Sequence, residues 1–270
     1  MSLKPLWALL CSALALHATG LELKVRTARG KDVPLLVEEL QVETLIFDTL
    51  AETSVTVTFR NSENRMLEGE FAIPLPKNAT VSSYALDVNG KMRQGVVVEK
   101  ERARNAYESI KRQMIDPGYV EREAGNIYRT KIFPIPRKGT KTVQLVYREI
   151  MPMHANLAHY HLPLAPILNI KKLSLSIEHT EKKPLNFVTT GGLDLKERSS
   201  GLLSFSAEQA SITEALHLTL PVEKAPRFFN AGDHFYLREE TQDASSDTIL
   251  PEKIRLVWDN SGSGAMRDHE

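Results

Sequence analysis

Ser54-Val55-Thr56-Val57-Thr58-Phe59 alternates polar and apolar side chains without interruption. A period of two places Val55, Val57 and Phe59 on one face of a strand and Ser54, Thr56 and Thr58 on the other. The pattern recurs along the chain. Thr142-Val143-Gln144-Leu145-Val146-Tyr147 is rich in β-branched and aromatic residues, and Leu173-Ser174-Leu175-Ser176-Ile177 and Leu216-His217-Leu218-Thr219-Leu220 alternate again. Many short strands separated by polar turns predict a mainly β protein, an antiparallel β-sandwich with one wet face per sheet. Asn89-Gly90, between Leu86-Asp87-Val88 and the run from Gln94 to Val98, is the strongest hairpin signal. Phe71-Ala72-Ile73-Pro74-Leu75-Pro76 and Ile132-Phe133-Pro134-Ile135-Pro136 each carry a Pro-x-Pro. Proline lacks the N–H of a central ladder, so both belong at strand ends or sheet edges.

One segment departs from this period. From Glu99 to Met114 there is no Gly or Pro, and Ala103, Tyr107, Ile110 and Met114 fall three or four apart. That spacing predicts one amphipathic helix packed on a sheet, with Tyr107 and Met114 as core residues. Acidic residues lead and basic ones trail, which suits the helix dipole. Asp116-Pro117-Gly118 ends it.

The 270 residues hold 34 Lys and Arg against 34 Asp and Glu, with 42% hydrophobic and 25% charged. This is a globular composition, which excludes wholesale disorder. Balanced, scattered charge gives no footprint for nucleic acid or an anionic membrane surface. Beyond residue 20 no run is long and apolar enough to span a bilayer as a helix. Residues 1–20 read as a secretory signal peptide: Lys4, an apolar stretch from Leu6 to Ala18, then the small-residue site Ala18-Thr19-Gly20 with cleavage near Gly20. The expected localisation is therefore exported: secreted, periplasmic or cell-surface. Cys11 is the only cysteine and leaves with that segment, so the mature chain has no disulfide or cysteine-ligated zinc.

From about Leu45 to Met151 the order of elements is similar to a known module. Asn61 follows the Val55–Phe59 strand; then come Glu70 to Ala79, Val96 to Lys100 with Ala103 and Tyr107, and Asp116-Pro117-Gly118. Gly125-Asn126-Ile127-Tyr128, Phe133 to Pro136 and Val143 to Tyr147 complete the series. Together they resemble the VIT domain, named for vault protein and the inter-alpha-trypsin inhibitor heavy chains. The resemblance implies a β-sandwich whose lone helix packs on a sheet. It also implies an interaction module without shared catalytic residues, hence no enzyme.

Members of that family often carry a von Willebrand A (vWA) domain directly after the module. Here Ile254-Arg255-Leu256-Val257-Trp258 is an apolar strand-type run followed by Asp259-Asn260-Ser261-Gly262-Ser263. This resembles the Asp-x-Ser-x-Ser element of a metal-ion-dependent adhesion site (MIDAS). A carboxylate and two hydroxyls at the tip of a buried parallel strand offer hard oxygens, so Asp259, Ser261 and Ser263 are the candidate ligands of Mg²⁺. An acidic group from a partner protein, extracellular or in the envelope, would complete the ion's shell. A whole A domain needs on the order of 100–200 residues. The expectation is thus a chain that stops inside an incomplete vWA domain and binds the ion only if that domain is completed. The predicted organisation is a signal peptide at 1–20, a VIT domain at 21–152, a second β-rich region and linker at 153–248, and the start of a vWA domain at 249–270.

Two rivals remain. His159-Tyr160-His161 puts two imidazoles on one face of a strand with His154 nearby, which suits an exported zinc-dependent hydrolase. A structural envelope component with an inert tail is the other. There is no Gly-x-Ser-x-Gly elbow and no phosphate loop around Gly262 and Gly264. Asn78-Ala79-Thr80 fits a glycosylation acceptor.

Overall fold

The computed structural model describes residues 22–26, 32–33, 35–97, 119–123, 126–164, 166–180, 187–190, 192–223, 225–231 and 234–239. The leader-like segment, the predicted helix from Glu99 to Met114 and the tail from 249 onward lie outside the described residues. The chain divides into two units, Met1–Glu223 and Lys224–Glu270. Strands are numbered in chain order.

The first unit is mainly β. Its largest sheet has eight strands, in spatial order β16 (Lys196–Ser199), β17 (Leu202–Ile212), β14 (Ile167–His179), β3 (Leu36–Phe47), β4 (Leu50–Arg60), β11 (Thr140–Ile150), β6 (Thr80–Val88) and β7 (Lys91–Gln94). A six-stranded sheet runs β2 (Asp32–Val33), β1 (Glu22–Arg26), β5 (Leu67–Pro74), β10 (Ile127–Ile135), β9 (Tyr119–Glu123) and β8 (Val96–Val97). A four-stranded sheet runs β12 (Met153–His154), β13 (Leu157–Leu162), β18 (Leu216–Pro221) and β15 (Val188–Thr190).

Alternation decides which face is covered. On β4, Ala51, Thr53, Val55, Val57 and Phe59 are buried, and Leu40, Val42, Thr44 and Ile46 of β3 lie beside them. Val143, Leu145, Tyr147 and Glu149 of β11 continue this face on one side, and Leu173, Leu175 and Ile177 of β14 on the other. The six-stranded sheet packs against part of this face. Phe59 meets Phe71 of β5 edge-on at 5.8 Å, and the Tyr84 hydroxyl bonds Thr130 of β10 at 3.0 Å. The four-stranded sheet meets it elsewhere, through Tyr160 of β13 on Thr44 and Thr53. Each fully buried Phe, Leu or Ile adds about 1.5–3 kcal/mol relative to exposure, so this shared face is the main source of cohesion.

Most pairings are antiparallel, as expected, but β14 runs parallel to β3 and β8 parallel to β9. A parallel neighbour needs a long return connection, which the chain between β3 and β14 supplies. β14 and β17, from the region beyond 153, thus share a continuous sheet with strands that precede it. The Asn89-Gly90 hairpin forms, with both residues at positive φ (54° and 79°). Its second arm is Lys91–Gln94, earlier than the predicted Gln94–Val98, because a two-residue turn pairs Val88 directly with Lys91. Pro74 ends β5, and Pro134 sits where the β10 register slips between Ile132 and Ile135. Pro134 therefore avoids a ladder position, while Pro74 holds the last one of its strand, opposite Ile127.

The second unit contains an antiparallel ribbon, β19 (Arg227–Ala231) with β20 (His234–Arg238). Phe228, Phe235 and Leu237 share one of its faces and are exposed.

Candidate functional site

The side chains that define the middle of the chain are engaged in holding its loops. Asn61, buried at the end of β4, donates from Nδ2 to the carbonyls of Arg65 (2.8 Å) and Pro136 (2.9 Å). Its Oδ1 accepts the Glu63 N–H at 2.8 Å, and its own N–H donates to Gly139 at 2.9 Å. A Cβ on Gly139 would stand 2.9 Å from Cβ of Pro136, so glycine is required there. Asn126 is the counterpart on the other side. It adopts φ 57°, which Asn tolerates, and donates to the carbonyls of Pro76 (2.7 Å) and Ala79 (3.0 Å). Arg122 Nε donates to its Oδ1 at 3.0 Å. Asn61 thus pins the segment that ends at Pro136, and Asn126 the one that ends at Pro76. Asn61→Ala removes the side-chain partner of the Arg65 carbonyl and the Glu63 N–H and leaves the Pro136 carbonyl only the Gly139 N–H. It is expected to cost about 2 kcal/mol in urea unfolding without loss of secondary structure by circular dichroism.

A polar cluster lies inside the core where the four-stranded sheet meets the largest one. The hydroxyls of Thr44, Thr53 and Tyr160 are mutually within 2.9, 2.9 and 3.3 Å. Three hydroxyls at these distances close a ring in which each donates once and accepts once. Tyr147 adds a hydroxyl without a well-formed hydrogen bond, with Tyr160, Glu149 and Thr53 as polar neighbours. Burial pushes the Tyr160 phenol up to about 12 and Tyr147 well above its usual range. Glu149, 3% exposed, has one carboxyl oxygen without a partner, and loss of water raises its pKa to about 7.

The opposite face of the largest sheet is polar. Gln144 bridges Ser54 and Thr56, and Thr58 bonds Thr142. Glu38 takes both Arg60 and Lys171, and these two hydrogen-bonded cations hold its carboxyl down to about 2. A hollow of about 260 Å³ on this face is bordered by Glu43, Leu45, Glu52, Ser54, Ser176 and Glu178.

Of the candidate ligands, Asp259, Ser261 and Ser263 lie outside the described residues. His159 and His161 do share the outward face of β13. Their surroundings bring in a residue that sequence reasoning missed. His217 of β18 stands directly opposite His161, the rings stacked at 4.4 Å, whereas His159 Nδ1 is 3.4 Å from Thr219 Oγ1. The alternation of Leu216–Leu220 marked His217 as outward, but its partner depends on a register across 55 residues that periodicity does not contain. Among the described residues no three His, Cys, Asp or Glu converge on one ion position.

Residues 37–147 match the family model of the vault protein inter-alpha-trypsin domain. This stretch is similar to a VIT domain. Human inter-alpha-trypsin inhibitor heavy chain H4 is 25% identical over 182 residues, 67% of this chain and 19% of that protein. Human inter-alpha-trypsin inhibitor heavy chain H6 is 25% identical over 169 residues, 60% of this chain and 13% of that one. Human protein mono-ADP-ribosyltransferase PARP4 is 24% identical over 161 residues, 59% of this chain and 9% of that one. The chain therefore spans less than a fifth of the length of these relatives. Asn61, Ala79, Asn126 and Pro136, through which the resemblance was read, all lie inside the VIT match, and all serve its loop anchors.

Proposed function

We propose that this chain belongs to an exported, non-enzymatic protein-interaction protein. Its VIT domain is a rigid platform ahead of a metal-dependent vWA domain. The observation that carries the reading is the VIT match itself, with Asn61 and Asn126 engaged by backbone rather than arranged around a reacting centre. What such a module offers to other molecules is surface. In this reading the Asp259-x-Ser261-x-Ser263 run holds Mg²⁺, whose remaining coordination positions take water and a carboxylate from an extracellular or envelope partner. Export rests on the leader-like residues 1–20. Among the described residues no helix is long and apolar enough to cross a membrane.

The test is calorimetric titration of Mn²⁺ and Mg²⁺ into the chain prolonged by its own downstream residues. Binding of one ion, lost in Asp259→Ala, is the expected outcome. Equal binding by Asp259→Ala overturns the adhesion-site assignment and leaves the VIT assignment standing.

A further inference from the structure

Four of the chain's eight histidines face one side of the four-stranded sheet. His159 and His161 alternate along β13 with Leu157, whose cross-strand partner is His154, and His217 stands opposite His161. The other outward positions on β12, β13 and β18 are Leu157, Thr219 and Pro221, so no Lys, Arg, Asp or Glu shares the face on these strands. Across the sheet, Ala158, Tyr160, Leu162, Leu216, Leu218 and Leu220 are buried and fix both backbones from behind. The histidine positions are therefore set by the core and not by the side chains themselves.

We propose that His161 and His217 form a two-imidazole site for a divalent transition-metal ion such as Zn²⁺ or Ni²⁺. Two imidazole nitrogens bound about 2.0–2.1 Å from one tetrahedral ion lie roughly 3.3 Å apart, which sets their ring centroids a little over about 5 Å from one another. The rings now stand stacked at 4.4 Å, within about 1 Å of that spacing, and must turn out of the stack to share an ion. Rotation about the side-chain bonds turns the two nitrogens toward a common point while the backbone stays in place. Metal binding needs neutral imidazole, and burial together with the neighbouring His217 lowers the His161 pKa below its usual value. His159 is turned toward Thr219, which leaves the remaining coordination positions to water or to a donor from another molecule. The charge-free face suits a borderline ion bound through nitrogen; a hard ion such as Mg²⁺ has no oxygen donors here.

The experiment is Ni²⁺ titration of the full chain at pH 7.5, carried out in the Asp259→Ala background so that the tail motif adds nothing. One Ni²⁺ per chain is expected. His161→Ala and His217→Ala each abolish it, while His154→Ala, on the same face but away from the pair, leaves it unchanged. Both substituted positions are on the outer face, so circular dichroism of the variants matches the parent. Lowering the pH to 5.5 also releases the ion, because protons compete for both nitrogens. The proposal is overturned if the parent takes up no Ni²⁺. It is equally overturned if both alanine variants bind as the parent does, or if His154→Ala weakens binding as much as His217→Ala.

Discussion

The variant Glu149→Gln is expected to be more stable than the parent by about 3 kcal/mol at pH 8 and equal to it near pH 4. Glu149 lies near Tyr147 and Tyr160 with one oxygen unbonded, and its carboxyl is raised by burial away from water. Its pKa is about 7 in the folded chain against 4.5 when solvated. Between these two values the folded state holds a proton that the unfolded state has released. Stability therefore falls as pH rises from 4.5 to 7 and is level above 7. Each unit of difference is worth about 1.4 kcal/mol, which gives the expected loss of about 3 kcal/mol. Gln keeps the shape and the polar end but carries no charge, so its stability curve should lack this descent. The measurement is urea unfolding of both chains from pH 4 to 8. Parallel curves would show that water or an unseen cation already neutralises the carboxylate.

The period of two was legible because it is local. Val55, Val57 and Phe59 are inward, and the same alternation along β11 carries Val143 and Leu145 to Tyr147 and Glu149. An inward Glu149 was thus implied by the pattern that identified its strand. Chemical type argued for solvent instead, and the outward, exposed Ile150 reverses that expectation in the next position. The likeness to a VIT domain was legible because Asn61, Asn126 and the two Pro-x-Pro runs occur in a fixed order, and each serves loop geometry. What was not legible is non-local. The parallel join of β14 to β3 and the meeting of His161 with His217 depend on registers between distant segments. One residue of slip would turn every side chain to the other face, and only the packed core excludes it. Tyr160 illustrates the same limit. Between His159 and His161 it reads as an inward aromatic, but nothing in the sequence says which hydroxyls receive it.

Tyr160 is the residue by which the four-stranded sheet grips the largest one, and its truncation should give the other large effect. Tyr160→Ala removes a fully buried ring and both 2.9 Å hydroxyl bonds, and is expected to cost about 4 kcal/mol. Tyr160→Phe separates the two contributions. The ring remains and packing is kept, but Thr44 and Thr53 are left with only their 3.3 Å contact, at a cost of about 1–2 kcal/mol. If that cost arises from orphaned hydroxyls, changing their owners to Val in the Phe background should recover part of it, since removing every member of a polar group is gentler than removing one. The triple variant Thr44→Val, Thr53→Val, Tyr160→Phe is therefore expected to be more stable than Tyr160→Phe alone. Additive losses across the series would mean that the three hydroxyls act separately. Recovery would mean that they stabilise the junction as one closed ring.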